Sequence, residues 1–235
     1  MSNTYVKKFS KDSLQEILRK GEVSLEQESS FRIATVNPEY VFEARKNTSF
    51  SQALSKADVW ICDGVGLQWW LFFRFGKKVP RITGADLAWE MIRLVWKKGG
   101  YVILLTSPKG LSSYEETKQV LHKAFPGLQV QGKNWRERGD EKDWIVEKGG
   151  GGSKEVYEPS LILCNFGIPE QEEILLYLQT QGIPGIMMGI GGSFDYWTGK
   201  QKRAPHWMRR VGLEWLWRFT RHPWRVKRFF QRMFR

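Results

Sequence analysis

Asp63 closes an apolar run and is followed by Gly64 and Gly66. A carboxylate at the end of a buried strand, with glycines opening the next element, is well placed to take a proton from a hydroxyl in a cleft. It is equally suited to cap a helix, and residue chemistry alone leaves the two readings level. Thr35 and Asn37 end a neighbouring apolar run. Their uncharged hydrogen-bonding side chains suit a sugar or a nucleotide, although Asn37-Pro38 is also an ordinary turn opening. Gly189-Ile-Gly-Gly-Ser-Phe-Asp195 is a glycine-rich turn. Backbone N–H groups at Gly191 and Gly192 would cradle a diphosphate, with Asp195 taking a ribose or base donor. Gly167-Ile-Pro-Glu-Gln171 is a similar turn, placing Gln171 in the first turn of a helix.

The elements that must position these residues alternate. Phe31–Val36, Asp58–Cys62, Tyr101–Thr106, Leu128–Gln131, Leu161–Phe166 and Gly185–Gly189 are short, nearly continuous apolar runs, as parallel strands buried on both faces require. Between them the patterning predicts helices from Pro38 to about Leu54, Thr83 to Lys98, Gly110 to Phe125, and Pro169 to Gln181. The fold class is therefore α/β, a Rossmann-like, mostly parallel sheet flanked by helices. Ligands of such sheets bind beyond the carboxyl ends of the strands. That rule gathers Asn37, Asp63–Gly66, Ser107–Gly110, Gly167–Gln171 and Gly189–Asp195 at one rim.

The chain has 235 residues and a formal net charge of +12, with 12 tryptophans. From Lys200 onward there are twelve Lys and Arg against the single acid Glu214, so the first 199 residues are nearly neutral. We read residues 1–202 as the α/β body and 203–235 as a basic, Trp-rich helical appendage broken by Pro223. Its Trp and Phe residues, interleaved with Arg and Lys, describe an interfacial membrane helix. Nucleic acid is the rival partner, since Arg with aromatics also binds phosphates and bases, and simple packing is the plainest alternative. Cys62 and Cys164 lie in apolar runs and read as core residues rather than a disulfide framework. With only His122, His206 and His222, and no Asp-x-Asp pair, no metal-ligand spacing is visible. Met1–Lys8 lacks the apolar stretch of a signal peptide. The uncharged stretch Ile174–Phe194 is too rich in glycine and amides to span a bilayer. Gly149–Ser153, Gly-Gly-Gly-Gly-Ser, reads as an engineered flexible linker at a helix-to-strand junction.

Together these motifs resemble the WecG/TagA/CpsF family of bacterial glycosyltransferases over roughly Phe31 to Arg228. The resemblance is carried by Thr35-Val-Asn-Pro38, Ala57-Asp-Val-Trp-Ile-Cys-Asp-Gly64, Arg81-Ile-Thr-Gly84 and Gly167-Ile-Pro-Glu-Gln-Glu172. It continues through Gly189–Asp195, Arg203-Ala-Pro205, Leu213-Glu-Trp-Leu-Trp-Arg218 and the Pro223, Arg225, Arg228 spacing. It implies inverting transfer of N-acetylmannosamine or a related hexose from a UDP-sugar to a polyprenyl-diphosphate-linked sugar, with no metal or other cofactor. In teichoic acid members the donor is UDP-N-acetylmannosamine and the acceptor undecaprenyl-diphosphate-N-acetylglucosamine. It implies a peripheral protein on the inner face of a bacterial cell membrane, bound to anionic lipid through residues 203–235, with no nucleic acid partner and a homo-oligomer allowed. By the same resemblance Asp63 is the catalytic base, Thr35, Asn37 and Gln171 line the sugar pocket, and Arg81 lies at the same rim. Arg218, Arg225 and Arg228 come from the appendage and hold the departing UDP. Such a transfer needs a base for the acceptor hydroxyl and cations for the leaving diphosphate, which guanidinium groups bind in bidentate fashion. The alternative is a non-enzymatic basic module that binds membrane or nucleic acid, for which the Thr35, Asn37, Asp63, Gln171 cluster would be superfluous.

Overall fold

The structure is a computed structural model that describes residues 3–134 and 160–221. Six strands form one sheet: β1 (Ser30–Val36), β2 (Val59–Cys62), β3 (Tyr101–Thr106), β4 (Gln129–Asn134), β5 (Leu161–Cys164) and β6 (Gly185–Gly189). Their spatial order is β2-β1-β6-β5-β3-β4, and every pairing is parallel. The helices are α1 (Asn3–Lys8), α2 (Leu14–Glu26), α3 (Pro38–Lys46), α4 (Thr48–Ser55), α5 (Val65–Phe75) and α6 (Gly84–Lys97). After these come α7 (Tyr114–Ala124), α8 (Glu170–Thr180), α9 (Ser193–Trp197), α10 (His206–Arg210) and α11 (Glu214–Arg221).

The continuous apolar character of the strands has a direct cause. Along β1, β3, β5 and β6 successive residues point to opposite faces, and helices cover both. Ile33, Val102, Leu104, Leu161, Leu163, Ile186 and Met188 enter a core shared with α2, α6 and α7. Ile103, Leu105, Ile162, Cys164 and Met187 pack beneath α8, while Ala34, Val36, Trp60 and Cys62 pack with α3, α4 and α5. Both cysteines are buried, and burial pushes the Cys62 thiol up to about 12, with Asp63 adding to the lift.

The structure differs from the sequence expectations in several places: β4 runs Gln129–Asn134 rather than Leu128–Gln131, and α7 begins at Tyr114 rather than Gly110. The helix from Pro38 to Leu54 is two helices, because the Asn47 side chain accepts from Phe50 N–H and starts α4. Pro169 stands one position before the first helical residue of α8, after a cis Ile168-Pro169 bond. Helix α2 was not expected, although Ser13 and Glu16 form a reciprocal capping box at its start. In the appendage Gly212, at φ +79°, already separates α10 from α11. The Pro223 break and the Gly149–Ser153 linker lie outside the described residues. Ile174–Phe194 runs through α8, β6 and the start of α9, and no helix among the described residues is long and apolar enough to cross a membrane.

Candidate active site

The carboxyl ends of β1, β2 and β6 meet the N-terminus of α6. Thr35 Oγ1 donates to Gly189 O at 2.7 Å, tying β1 to β6. Asp63 follows β2 directly, and its N–H donates to Val36 O at 2.8 Å. Its carboxylate does not cap α5, whose N-cap is Gly64. Instead Gly84 N–H, at the first position of α6, donates to Asp63 Oδ2 at 3.3 Å. Only a glycine permits this approach. A Cβ at Gly84 would lie 2.9 Å from Thr35 Cγ2 and 3.5 Å from Asp63 Oδ2. Asn37 spends its Oδ1 on the Glu39 and Tyr40 N–H groups as the N-cap of α3, which leaves its amide NH2 as the donor end of the side chain. Thr35, Asn37 and Asp63 thus occupy two adjacent strand ends, Thr35 buried and the other two half-buried.

Gln171 is buried behind this rim and engaged through both ends of its amide. Its Oε1 accepts from Gly167 N–H at 3.0 Å and Gly191 N–H at 3.3 Å, and its Nε2 donates to the Tyr40 hydroxyl. A Cβ at Gly189 would strike that same amide, 2.3 Å from Nε2. One carboxamide therefore fixes two rim turns and α3 together. Tyr40 in turn donates to Glu172 Oε1 at 3.0 Å, and Glu172 Oε2 meets Arg32 Nη1 at 3.3 Å with both side chains fully buried. Burial lifts Glu172 above the usual carboxylate range even though Arg32 pulls it back. Burial, then the Glu172 charge, raises Tyr40 well above its ordinary value. Tyr40 was not among the sequence candidates, its only signal being adjacency to Asn37-Pro38, and Glu172 entered only as the end of the Gly167–Glu172 motif, with no role given to it.

The base of the appendage is docked on the same rim. Arg203 grips Asp86 in α6 with Nη1 to Oδ1 at 2.6 Å and Nη2 to Oδ2 at 3.0 Å, a fork that matches carboxylate geometry. Burial opposes the Asp86 charge, but hydrogen bonds from Arg203 and Thr83 and the Arg203 and Arg209 charges leave its pKa below the usual value. Arg81 Nη2 donates to Arg209 O at 2.6 Å, so this rim arginine holds appendage backbone. Gly212 lies so close to α5 that an added Cβ would be 2.6 Å from Val65 Cβ. Arg218 belongs to α11, whose backbone is described there; Arg225 and Arg228 lie outside the described residues.

The remaining sequence candidates sit further along the rim. Gly191 gives its N–H to Gln171, Gly192 precedes α9, and Asp195 is buried. Asp195 Oδ1 accepts from Ser112 N–H at 3.0 Å and Ser112 Oγ at 2.8 Å, joining α9 to the turn before α7. Between β5 and β3, where the chain leaves in opposite directions, Asn165 Oδ1 accepts from Ser107 N–H at 2.6 Å. Such a switch point opens a crevice for a ligand. Asn165 was not singled out from the sequence because a lone Asn after a strand carries no distinguishing pattern.

The family model described as "Glycosyl transferase WecG/TagA/CpsF family" matches residues 4–235. The chain is 29% identical over 198 residues to an N-acetylglucosaminyldiphosphoundecaprenol N-acetyl-beta-D-mannosaminyltransferase of Bacillus subtilis (strain 168), covering 83% of this chain and 73% of the relative. It is 28% identical over 191 residues to the protein of the same name from Staphylococcus aureus (strain MRSA252), covering 79% and 70%.

Proposed function

The chain belongs to the WecG/TagA/CpsF family of glycosyltransferases, and from that premise we propose that it moves N-acetylmannosamine, or a related hexose, from a UDP-sugar to a polyprenyl-diphosphate-linked sugar in cell-wall polymer synthesis. The observation that carries the reading is the convergence of two features at one rim. Asp63 lies beside Thr35 and the α6 N-terminus, and the strongly basic appendage is anchored there by the Arg203–Asp86 and Arg81–Arg209 contacts.

In this reading Asp63 takes the proton of the acceptor hydroxyl as its oxygen bonds to the anomeric carbon. The bond from that carbon to the diphosphate breaks, and UDP leaves with the electron pair from the face opposite the attack, which inverts the centre. Arg218, Arg225 and Arg228 carry the charge that develops on the diphosphate, a role worth most in a site shielded from water. Thr35 and the Asn37 amide meet the sugar. Gln171 acts through position, holding the Gly167 and Gly191 turns in place. No metal is required in this scheme, because guanidinium groups neutralise the leaving group, and the sequence has no Asp-x-Asp pair to bridge a divalent ion to a diphosphate. Exposed Trp207, Val211, Trp215 and Leu216 on the appendage support its seat on the inner face of the cell membrane.

The test is a panel of UDP-sugars with a short-chain polyprenyl-diphosphate-N-acetylglucosamine acceptor, with and without EDTA. The reading expects transfer from UDP-N-acetylmannosamine or a near relative, undiminished by the chelator. Absence of transfer from every UDP-sugar, with no stabilisation of the fold by UDP, refutes it. Strict dependence on an added metal refutes the arginine scheme.

A further inference from the structure

Helix α5 is apolar on both its buried and its exposed side, unlike an ordinary surface helix. Its buried side is formed by Val65, Leu67 and Leu71. The side turned to solvent should be polar. Instead it presents Trp69, Phe72 and Phe73, which are 59%, 41% and 80% exposed. These positions, spaced three and four apart, form one stripe. Three large aromatics together make an apolar ridge of the sort that marks an interaction surface.

Charge indicates what the ridge meets. Arg74 and Lys78 flank it, their cations 5.6 Å and 5.7 Å from the Phe75 and Phe72 ring centres. Lys77 Nζ donates to Val6 O and Phe9 O, each at 2.7 Å, and so brings the end of α1 against the end of α5. That junction adds Lys7, Lys8 and Lys11. Residues 3–11 and 65–80 together carry these six cations and no Asp or Glu. At the other end of α5, Val65 receives Gly212 of the appendage. An aromatic ridge edged by lysine and arginine is complementary to a bilayer with anionic headgroups, where rings insert and cations meet phosphate.

We propose that the α5 ridge, with the α1–α5 basic cluster, is a membrane-docking surface of the body itself, separate from residues 203–235. It rests on the proposed reaction only in taking a lipid-linked acceptor as the reason for docking. Because α5 starts at Val65, two residues after Asp63, docking through α5 holds the base at a set position relative to the lipid headgroups instead of leaving that to the appendage alone.

The experiment uses the full chain and no sugar substrate, so its outcome does not depend on transferase activity. Flotation is measured with phosphatidylcholine vesicles and with vesicles containing about a third phosphatidylglycerol. Replacing all three ridge residues (W69Q/F72Q/F73Q) should weaken partition to both vesicle types about tenfold or more. Reversing exposed cations (K7E/K8E/K78E) should weaken it only where the anionic lipid is present. Phe73→Cys, labelled with an environment-sensitive dye, should shift to the blue when vesicles are added. The native thiols are buried and do not compete for label. Wild-type partition by the ridge variant, or no dye shift, overturns the proposal. So does a ridge variant that floats normally but sediments as a smaller species, because the ridge would then be a contact between copies of the chain. The dye and lysine arms decide the matter even if the triple variant folds poorly. Failure of the transfer assay with intact ridge-dependent flotation would fault the reaction and leave this surface standing.

Discussion

Gly212→Ala tests whether the appendage must seat on α5 for turnover. The backbone at Gly212 has φ +79°, a left-handed conformation that costs an L residue about 1–2 kcal/mol. The new Cβ would also lie 2.6, 2.9 and 3.0 Å from the Cβ, Cγ1 and Cγ2 of Val65. Overpacking of this kind costs about 1–3 kcal/mol. The sum, about 2–5 kcal/mol, shifts the local docking equilibrium by about 30- to 4,000-fold. If docking is a local equilibrium, that energy is spent on releasing α10 and α11 while the sheet keeps its own stability. Turnover on a short soluble acceptor should then fall at least about tenfold, with the thermal midpoint followed by circular dichroism almost unmoved. If the appendage is instead part of one cooperative unit, the same energy should lower the midpoint by about 4–20 °C. Gly182→Ala is the control. Gly182 has φ +74° with no atom near its absent Cβ, so it isolates the backbone cost at a site remote from the rim. Unchanged turnover in Gly212→Ala would refute the requirement for seating. A fall matched by a lowered midpoint would refute the division into body and appendage.

Other expectations are more compact. Asp63→Asn keeps the shape and removes the proton acceptor, so turnover should drop about 10²- to 10⁴-fold with little change in UDP affinity under conditions where chemistry is limiting. Tyr40→Phe deletes the hydroxyl between Gln171 and Glu172. Leaving those buried groups short of a partner should cost about 1–3 kcal/mol, read in a denaturant titration as a lowered midpoint with unchanged slope. Asp86 has a folded pKa below its unfolded value near 3.8. Its contribution to docking is therefore complete above that value and lost as pH falls through the folded one. Protease cleavage between α9 and α10 should rise in acid for the wild type and be high throughout for Asp86→Asn. A pH-independent wild-type pattern would count against the Arg203–Asp86 clamp.

The sheet was legible because burial on both faces writes itself into composition. Ile33 and Ala34 face opposite cores, yet both must be apolar, so β1 appears as a run and its neighbours likewise. Capping at Ser13 and Asn47 was equally present in the sequence, but a cap is a short local pattern that competes with many similar ones. At the site, strand ends were enough to place Thr35, Asn37 and Asp63 next to one another, since β1 and β2 pair side by side up to Val36 and Cys62. What periodicity does not reveal is the division of labour among hydrogen bonds. Gln171 looked like a rim residue, yet a buried carboxamide has few sites to offer, and three are taken by Gly167, Gly191 and Tyr40. The Arg203–Asp86 pair joins residues 117 positions apart, and no local pattern encodes such a partner.

Strand β2, which delivers Asp63, lies at the margin of the sheet with β1 on one side only. Among the described residues its outer border is closed by two single bridges, to Phe9 and to Arg81, rather than by a further strand. The second bridge pairs Arg81 with Cys62, the residue before Asp63, and Ile82 N–H donates to Cys62 O at 3.1 Å. Two residues after Arg81 the same segment supplies Thr83, the N-cap of α6. A bare strand edge would offer its N–H and C=O groups to another chain. Here that edge is occupied by the stretch that sets the α6 N-terminus against the carboxylate, so border and base are held in one frame.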